Sequence, residues 1–412
     1  MTKSTAPRRR LSRSVQLTVA STVVGLVLSA CGSDKASTNS TTAAAASGGS
    51  SSSNQAAFKI LFLAAVKGET QNGSDEYWQA DQLAMEAVNK AGGVNGKPVE
   101  FSRLTIPSDA AGMSTALLKA AESKPDLIIT AAEPTFSSVG RTVDQVGIPI
   151  IGQNSYAKTN GYPGGSKWTF QDYASDSDTA SGAAKYATDG LSAKKIALLF
   201  DTEPFGKAGS DVVRAFLKTN GTPASAESSF DPNATDLTQA ILAAKGADAI
   251  VNWSYPVPLA AQVNTMDQQG SLVPTVSAGV MAYDVSTGLI HKSAFPKVFS
   301  AAPCNPQGST QPSAKDFLAA YTAKFGGTAD SVVGLSYDAV LFGIAAAKGA
   351  KSYSPDDLRA SMLTTKLSTG VCTNDLHSDK TQALLHDITI VGFDATGAPV
   401  TKASYHFPDA TS

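Results

Sequence analysis

Few side chains in this sequence are placed to do covalent chemistry, and Cys31 is the clearest of them. It closes LVLSAC, Leu26 to Cys31, behind Arg8, Arg9, Arg10 and Arg13 and an apolar run from Val15 to Leu28. A positive block followed by an apolar run of about 14 residues makes a secretory leader, too short for the roughly 20 residues of a spanning helix. Leu28-Ser29-Ala30-Cys31 has the form of a lipobox, in which the cysteine sulfur takes a diacylglyceryl group and cleavage falls just before it. Residues 1–30 are then a leader and Cys31 the lipidated first residue, which places the protein on the outer face of the cytoplasmic membrane. Arg8-Arg9-Arg10-Leu11 also loosely fits a twin-arginine signal, so either export route is open.

The remaining reactive groups point away from catalysis. With Cys31 lipidated, Cys304 and Cys372 are an even pair in an oxidising compartment and are read as one disulfide, against the alternative of two buried free thiols. They lack CxxC spacing, and His291, His377, His386 and His406 are scattered, so no metal site is expected. There is no G-x-x-x-x-G-K-[ST], G-x-S-x-G or H-E-x-x-H. Gly92, Gly93 and Gly96 follow a helix and precede a strand, the reverse of a phosphate loop, and are expected as cap and turn residues. No cofactor is expected. A net charge of -2 with 17% charged residues gives no basic face, so nucleic acid is not expected as a partner.

The elements that must position any site lie after residue 56. Residues 31–56 are a Ser/Thr/Ala/Gly tract with almost nothing apolar to bury, and are expected as a flexible tether. At about 5–6 Å times the square root of its length, such a tract lets the body sit roughly 25–30 Å from the lipid. Beyond it, apolar strand-length runs such as KILFLAAV, DLIITAA and IPIIG alternate with helical patterns such as AGMSTALLKAAES. A second series repeats this grammar after Trp168, with KKIALLFD, FGKAGSDVVRAFLKTNG and DAIVNW. Two α/β lobes are expected, each an open, doubly wound parallel sheet with helices on both faces.

Several of these segments resemble the type I periplasmic solute-binding proteins of Leu/Ile/Val-binding type that serve ABC importers. AMEAVNKAGGVNGKPVEF is similar to that family's first helix, glycine turn and second strand, and KKIALLFDTEPFGKAGSDVVRAFLKTNG to the opening of its second lobe. DLIITAAEPTFSSVGRTVDQVGIPIIG and SVVGLSYDAVLFGIAAAKGA extend the likeness over residues 59–401. The resemblance implies two lobes joined by a three-segment hinge: 57–173 with 304–368, and 174–303 with 369–412. It places the crossovers near residues 172–175, 300–304 and 368–375, so a Cys304–Cys372 bond would staple two of them.

The resemblance also implies a function without catalysis: a lipid-anchored receptor that captures a small organic solute or amino-acid-like ligand between its lobes and delivers it to an ABC permease. The alternative is a ligand sensor of the same fold acting through a signalling partner. By resemblance, Glu133, Asn154, Ser155, Tyr156, Phe205 and Tyr255 fall at or near ligand positions. Ser155 is the one candidate nucleophile among them, and no histidine lies in the expected cleft loops. The chain departs from the family at both polar anchors. Glu133 stands where a small hydroxyl residue is expected. Gly279 and Val280 offer no acid for a ligand ammonium, and only Asp284 could substitute. A glutamate near a carboxylate pocket repels an anion by about 1–4 kcal/mol, so the expected ligand is neutral or cationic.

Overall fold

The computed structural model describes residues 56–65, 69–106, 110–131, 138–153, 162–327 and 329–407. The leader, Cys31 and the tether lie outside them. The first half of the body alternates β1 (Lys59–Ala65), α1 (Glu69–Lys90), β2 (Glu100–Ile106), α2 (Ala110–Glu122), β3 (Leu127–Thr130), α3 (Gly140–Val146), β4 (Ile150–Gly152) and β5 (Thr169–Gln171). Their five strands form one parallel sheet in the order β2-β1-β3-β4-β5. Short hydrophobic strands of this kind are buried on both faces by crossover helices. Accordingly Ile60, Phe62, Leu127 and Ile129 pack on one face and Leu61, Leu63, Ile128 and Ile150 on the other, all at most 5% exposed.

The second series comprises α4 (Asp176–Lys185), β6 (Ile196–Asp201), α5 (Pro204–Thr219), β7 (Ala226–Phe230), α6 (Thr238–Ala243), β8 (Ala249–Trp253), α7 (Pro256–Gln268), β9 (Thr275–Ser277), α8 (Val280–Ser286) and β10 (Val298–Ala302). After α9 (Pro312–Phe325), α10 (Ser331–Gly349) and α11 (Pro355–Met362), the chain adds β11 (Ile388–Phe393) and β12 (Pro399–Tyr405). The second sheet runs β12-β11-β10-β9-β8-β6-β7. It is parallel from β7 to β10, with β11 and β12 joined antiparallel at one end.

Helix α10 is long and apolar enough to cross a membrane, yet it is largely buried inside the protein. It lies against α1, and Ala339, Val340 and Phe342 join the core on one face of the first sheet. The glycine turn after α1 is as expected: Gly92, Gly93 and Gly96 all have positive φ. At Gly93 a Cβ would also lie 1.9 Å from the Lys97 carbonyl oxygen, so only glycine fits there.

A disulfide and two sets of polar contacts tie together the segments that pass between the two sheets. The Cys304–Cys372 disulfide is formed, with its Cα atoms 5.1 Å apart. Asp338 on α10 accepts hydrogen bonds from the Val371 and Cys372 backbone N–H groups at 2.6 and 2.8 Å. His386 Nε2 lies 2.7 Å from Asp172 Oδ1, with both side chains fully buried. Residues 382–384 stay with the first sheet: Ala383 bridges Gln171, and Gln382 Nε2 donates to the Lys167 and Thr169 carbonyls.

Candidate functional site

In open α/β sheets ligands bind beyond the carboxyl ends of the strands, where strand ends and helix starts converge. In the second sheet that edge is organised by Asp201, the last residue of β6. Its carboxylate accepts the Glu203 N–H at 3.0 Å and the Tyr255 N–H at 2.9 Å, so one side chain fixes the approach to both α5 and α7. Proline stands in the first turn of each helix, at Pro204 and Pro256, where a missing N–H costs nothing. Burial raises the Asp201 carboxyl above its ordinary value, although these N–H groups oppose the shift.

This scaffold sets two expected ligand residues side by side. The rings of Phe205 and Tyr255 are 5.5 Å apart, and Phe205 also lies 5.8 Å from the fully buried Trp253. Tyr255 remains 40% exposed at the head of α7, so the aromatic stack runs from the core to the surface. Gly209 makes this possible: a Cβ there would lie 2.0 Å from Trp253 Nε1.

Glu133, Asn154, Ser155 and Tyr156 lie outside the described residues. The residue just before the last three, Gln153, is structural. Fully buried, it donates to Asp81 Oδ1 at 3.0 Å and Ser336 Oγ at 2.7 Å, while Ser336 donates to Asp81 at 2.9 Å. Burial raises the Asp81 carboxyl to about 8 despite these two donors. Asp284 is likewise fully buried. Trp78 packs between Phe62 and Phe101, stacked on the latter at 4.6 Å.

A cavity of about 420 Å³ opens between elements of the two sheets. Glu76, Tyr321, Asp330 and Ser331 line it on one side, and Tyr283 and Phe393 on the other. Neither Phe205 nor Tyr255 lines it. Among the described residues no cluster of three or more His, Cys, Asp or Glu could hold a metal ion. Sequence reasoning missed the positioning role of Asp201 and the pairing of Asp330 with Glu76. The one signal for Asp201 was its place at the end of an apolar strand run.

Residues 57–398 match the family described as "Periplasmic binding protein". A comparison with curated protein sequences finds no match. Among solved structures, the branched-chain amino acid transporter substrate-binding protein LivJ of Streptococcus pneumoniae, in complex with isoleucine, is 22% identical. The alignment covers 85% of this chain and 99% of LivJ, with a TM-score of 0.72. The leucine-binding protein LivK of Thermotoga maritima is 18% identical over 85% of this chain and 99% of its own, with a TM-score of 0.71. A solute-binding protein of R. palustris in complex with benzoate is 13% identical over 87% of this chain and 98% of its own, with a TM-score of 0.72. At such identities the structures establish a shared two-lobe fold, while the family match spans most of the chain. The chain belongs to the periplasmic binding protein family, with the type I two-lobe fold of LivJ and LivK.

Proposed function

We propose that this protein is a lipid-anchored extracellular receptor that captures a small organic solute between its lobes and delivers it to an ABC importer. The observation that carries the reading is the Phe205–Tyr255 pair, held by Asp201 at the carboxyl ends of β6 and β8. That is where a solute is gripped in this fold, and the exposed Tyr255 ring offers it a face. Glu133, Asn154, Ser155 and Tyr156 complete the proposed site from the first lobe, and Cys31 carries the lipid. LivJ is solved with isoleucine and the R. palustris protein with benzoate, so the fold accommodates amino acids and aromatic acids alike. For this chain, with Glu133 at a family anchor, we propose a neutral or cationic ligand and weak binding of aliphatic α-amino acids. The proposed lobes are 57–173 with 304–368 and 174–303 with 369–412. Because Ala383 bridges Gln171, we move the last boundary toward the start of β11.

One preparation of the full chain tests both halves of the proposal. Melting temperature is measured against amino acids, amides, amines and aromatic carboxylates, at ligand concentrations where 100 times Kd adds about 2.7 kcal/mol. That is a rise of several degrees, and Phe205→Ala with Tyr255→Ala should abolish it. Strong stabilisation by leucine or valine, with none by neutral or cationic compounds, would overturn the ligand class. In detergent phase separation the parent should enter the detergent phase and Cys31→Ser the aqueous phase. If Cys31→Ser stays with the detergent, the uncut apolar run is the anchor.

A further inference from the structure

We propose that the cavity bounded by α1, α8 and the start of α10 is a subsite for an organic ammonium group, with Glu76 and Asp330 as its acceptors. The proposal rests on the reading of the chain as a two-lobe solute binder, and names the ligand chemistry that one of its internal spaces selects.

Size and shape come first. At about 420 Å³ the cavity falls within the range of small-molecule sites, roughly 300–1,000 Å³. It is walled by elements that pack on both sheets. Glu76 on α1, Tyr321 on α9 and the N-terminal residues of α10 face Tyr283 on α8 and Phe393 on β11. An occupant would touch both lobes at once, which is what favours a closed form.

Charge then narrows the occupant. Among the described residues, two carboxylates line the cavity, and no Lys, Arg or His does. Glu76 reaches the cavity's solvent, yet its walls crowd it, and desolvation with Asp330 beside it raises its carboxyl to about 7. Asp330 caps α10 by accepting the Val333 N–H at 3.1 Å, and burial raises its carboxyl as well. No cation offsets either group among the described residues. A third polar atom, Ser331 Oγ, is buried on this lining with no hydrogen-bond partner. An ammonium group has three N–H donors and a positive charge, and so answers two carboxylates and an unpaired hydroxyl oxygen together. A carboxylate ligand would meet two like charges.

The remaining walls suit an organic body. Tyr283 is 45% exposed, and with Tyr321 and Phe393 it offers aromatic faces to an alkyl or aryl group or to the cation itself. Among the described residues the two carboxylates have no third acidic or histidine side chain beside them, too few for a metal cage, and the aromatic area would be wasted on one.

Three probes of one shape isolate the charge: phenethylamine, 2-phenylethanol and 3-phenylpropionate, titrated calorimetrically into the folded protein at pH 8, where Glu76 is ionised. The expected order is amine first, alcohol at least tenfold weaker and acid undetectable. Glu76→Gln should lower phenethylamine affinity at least tenfold while changing 2-phenylethanol affinity less than twofold. Glu76→Lys should reverse the charge preference and admit 3-phenylpropionate. Equal affinity of the parent for amine and acid, or an amine affinity unchanged in Glu76→Gln, overturns the subsite. If benzoate or 2-phenylethanol binds and phenethylamine does not, the subsite falls and the solute-binding reading stands. If none of these compounds binds, the subsite falls.

Discussion

Cys304→Ser combined with Cys372→Ser should lower the melting temperature of the body by on the order of 5–10 °C. The bond closes a loop across a sequence separation of 68 residues, and chain-entropy arguments give such a loop about 4 kcal/mol. A chain of this size shifts by roughly 2 °C for each kcal/mol. The bond's setting limits the damage to this loss, because Asp338 continues to hold the Val371 and Cys372 N–H groups when the sulfurs are gone. The double variant should therefore fold and melt early, rather than fail to fold. Circular dichroism melting of both proteins, with and without reductant, makes the comparison. Reductant should bring the parent to the variant's melting temperature and leave the variant unmoved. Equal melting temperatures without reductant would show that the bond constrains nothing.

The second large effect is on pH. Asp81 and Asp338 are fully buried carboxyls, raised by desolvation to about 8 and about 7. A carboxyl whose value is raised on folding binds its proton more tightly in the native state. Its contribution is therefore complete below the unfolded value near 4 and is lost as pH rises through 7 and 8. Each such group gives a slope of up to about 1.4 kcal/mol per pH unit in that window. The carboxyls held low, Asp189, Asp236, Asp248 and Asp394, act in the opposite sense but only in more acid solution. Melting temperature should fall by several degrees between pH 5.5 and pH 8.5. Asp81→Asn keeps an oxygen for Gln153 and Ser336 and carries no proton to lose, so it should flatten the fall. A melting temperature that is level or rising over that interval in the parent would contradict the assignment.

Much of this architecture was legible in the sequence because parallel strands buried on both faces leave continuous apolar runs. KILFLAAV, DLIITAA, KKIALLFD and DAIVNW all became strands of the two sheets. The segments that escaped lack that signature. β7 is an edge strand of sequence AESSF, polar, half-buried at alternate positions and buried only at Phe230, so it reads as a loop. β5 is only three residues long and takes its place from β4 on one side and Ala383 on the other. Helix α4 runs to Lys185 and then widens into a π turn over Tyr186–Gly190, a change with no local apolar signature.

In the proposed site, side-chain type was legible in the sequence and partnership was not. Phe205 and Tyr255 were candidates by family resemblance, and the structure sets them 5.5 Å apart. Glu76 lies within α1, but its significance comes from Asp330, 254 positions away at the start of another helix. No local pattern encodes that meeting. Asp201 is similar, since its value lies in the Tyr255 N–H it receives from a different strand end.

The central claim is that two lobes close on one small molecule, and small-angle X-ray scattering tests it most directly. The protein is measured alone and with a saturating compound chosen for raising its melting temperature. Capture between lobes predicts a smaller radius of gyration with the compound present, and no decrease in the Phe205→Ala, Tyr255→Ala protein at the same concentration. An unchanged radius in the parent, with the compound shown to be bound, would contradict closure and leave a site on one lobe alone.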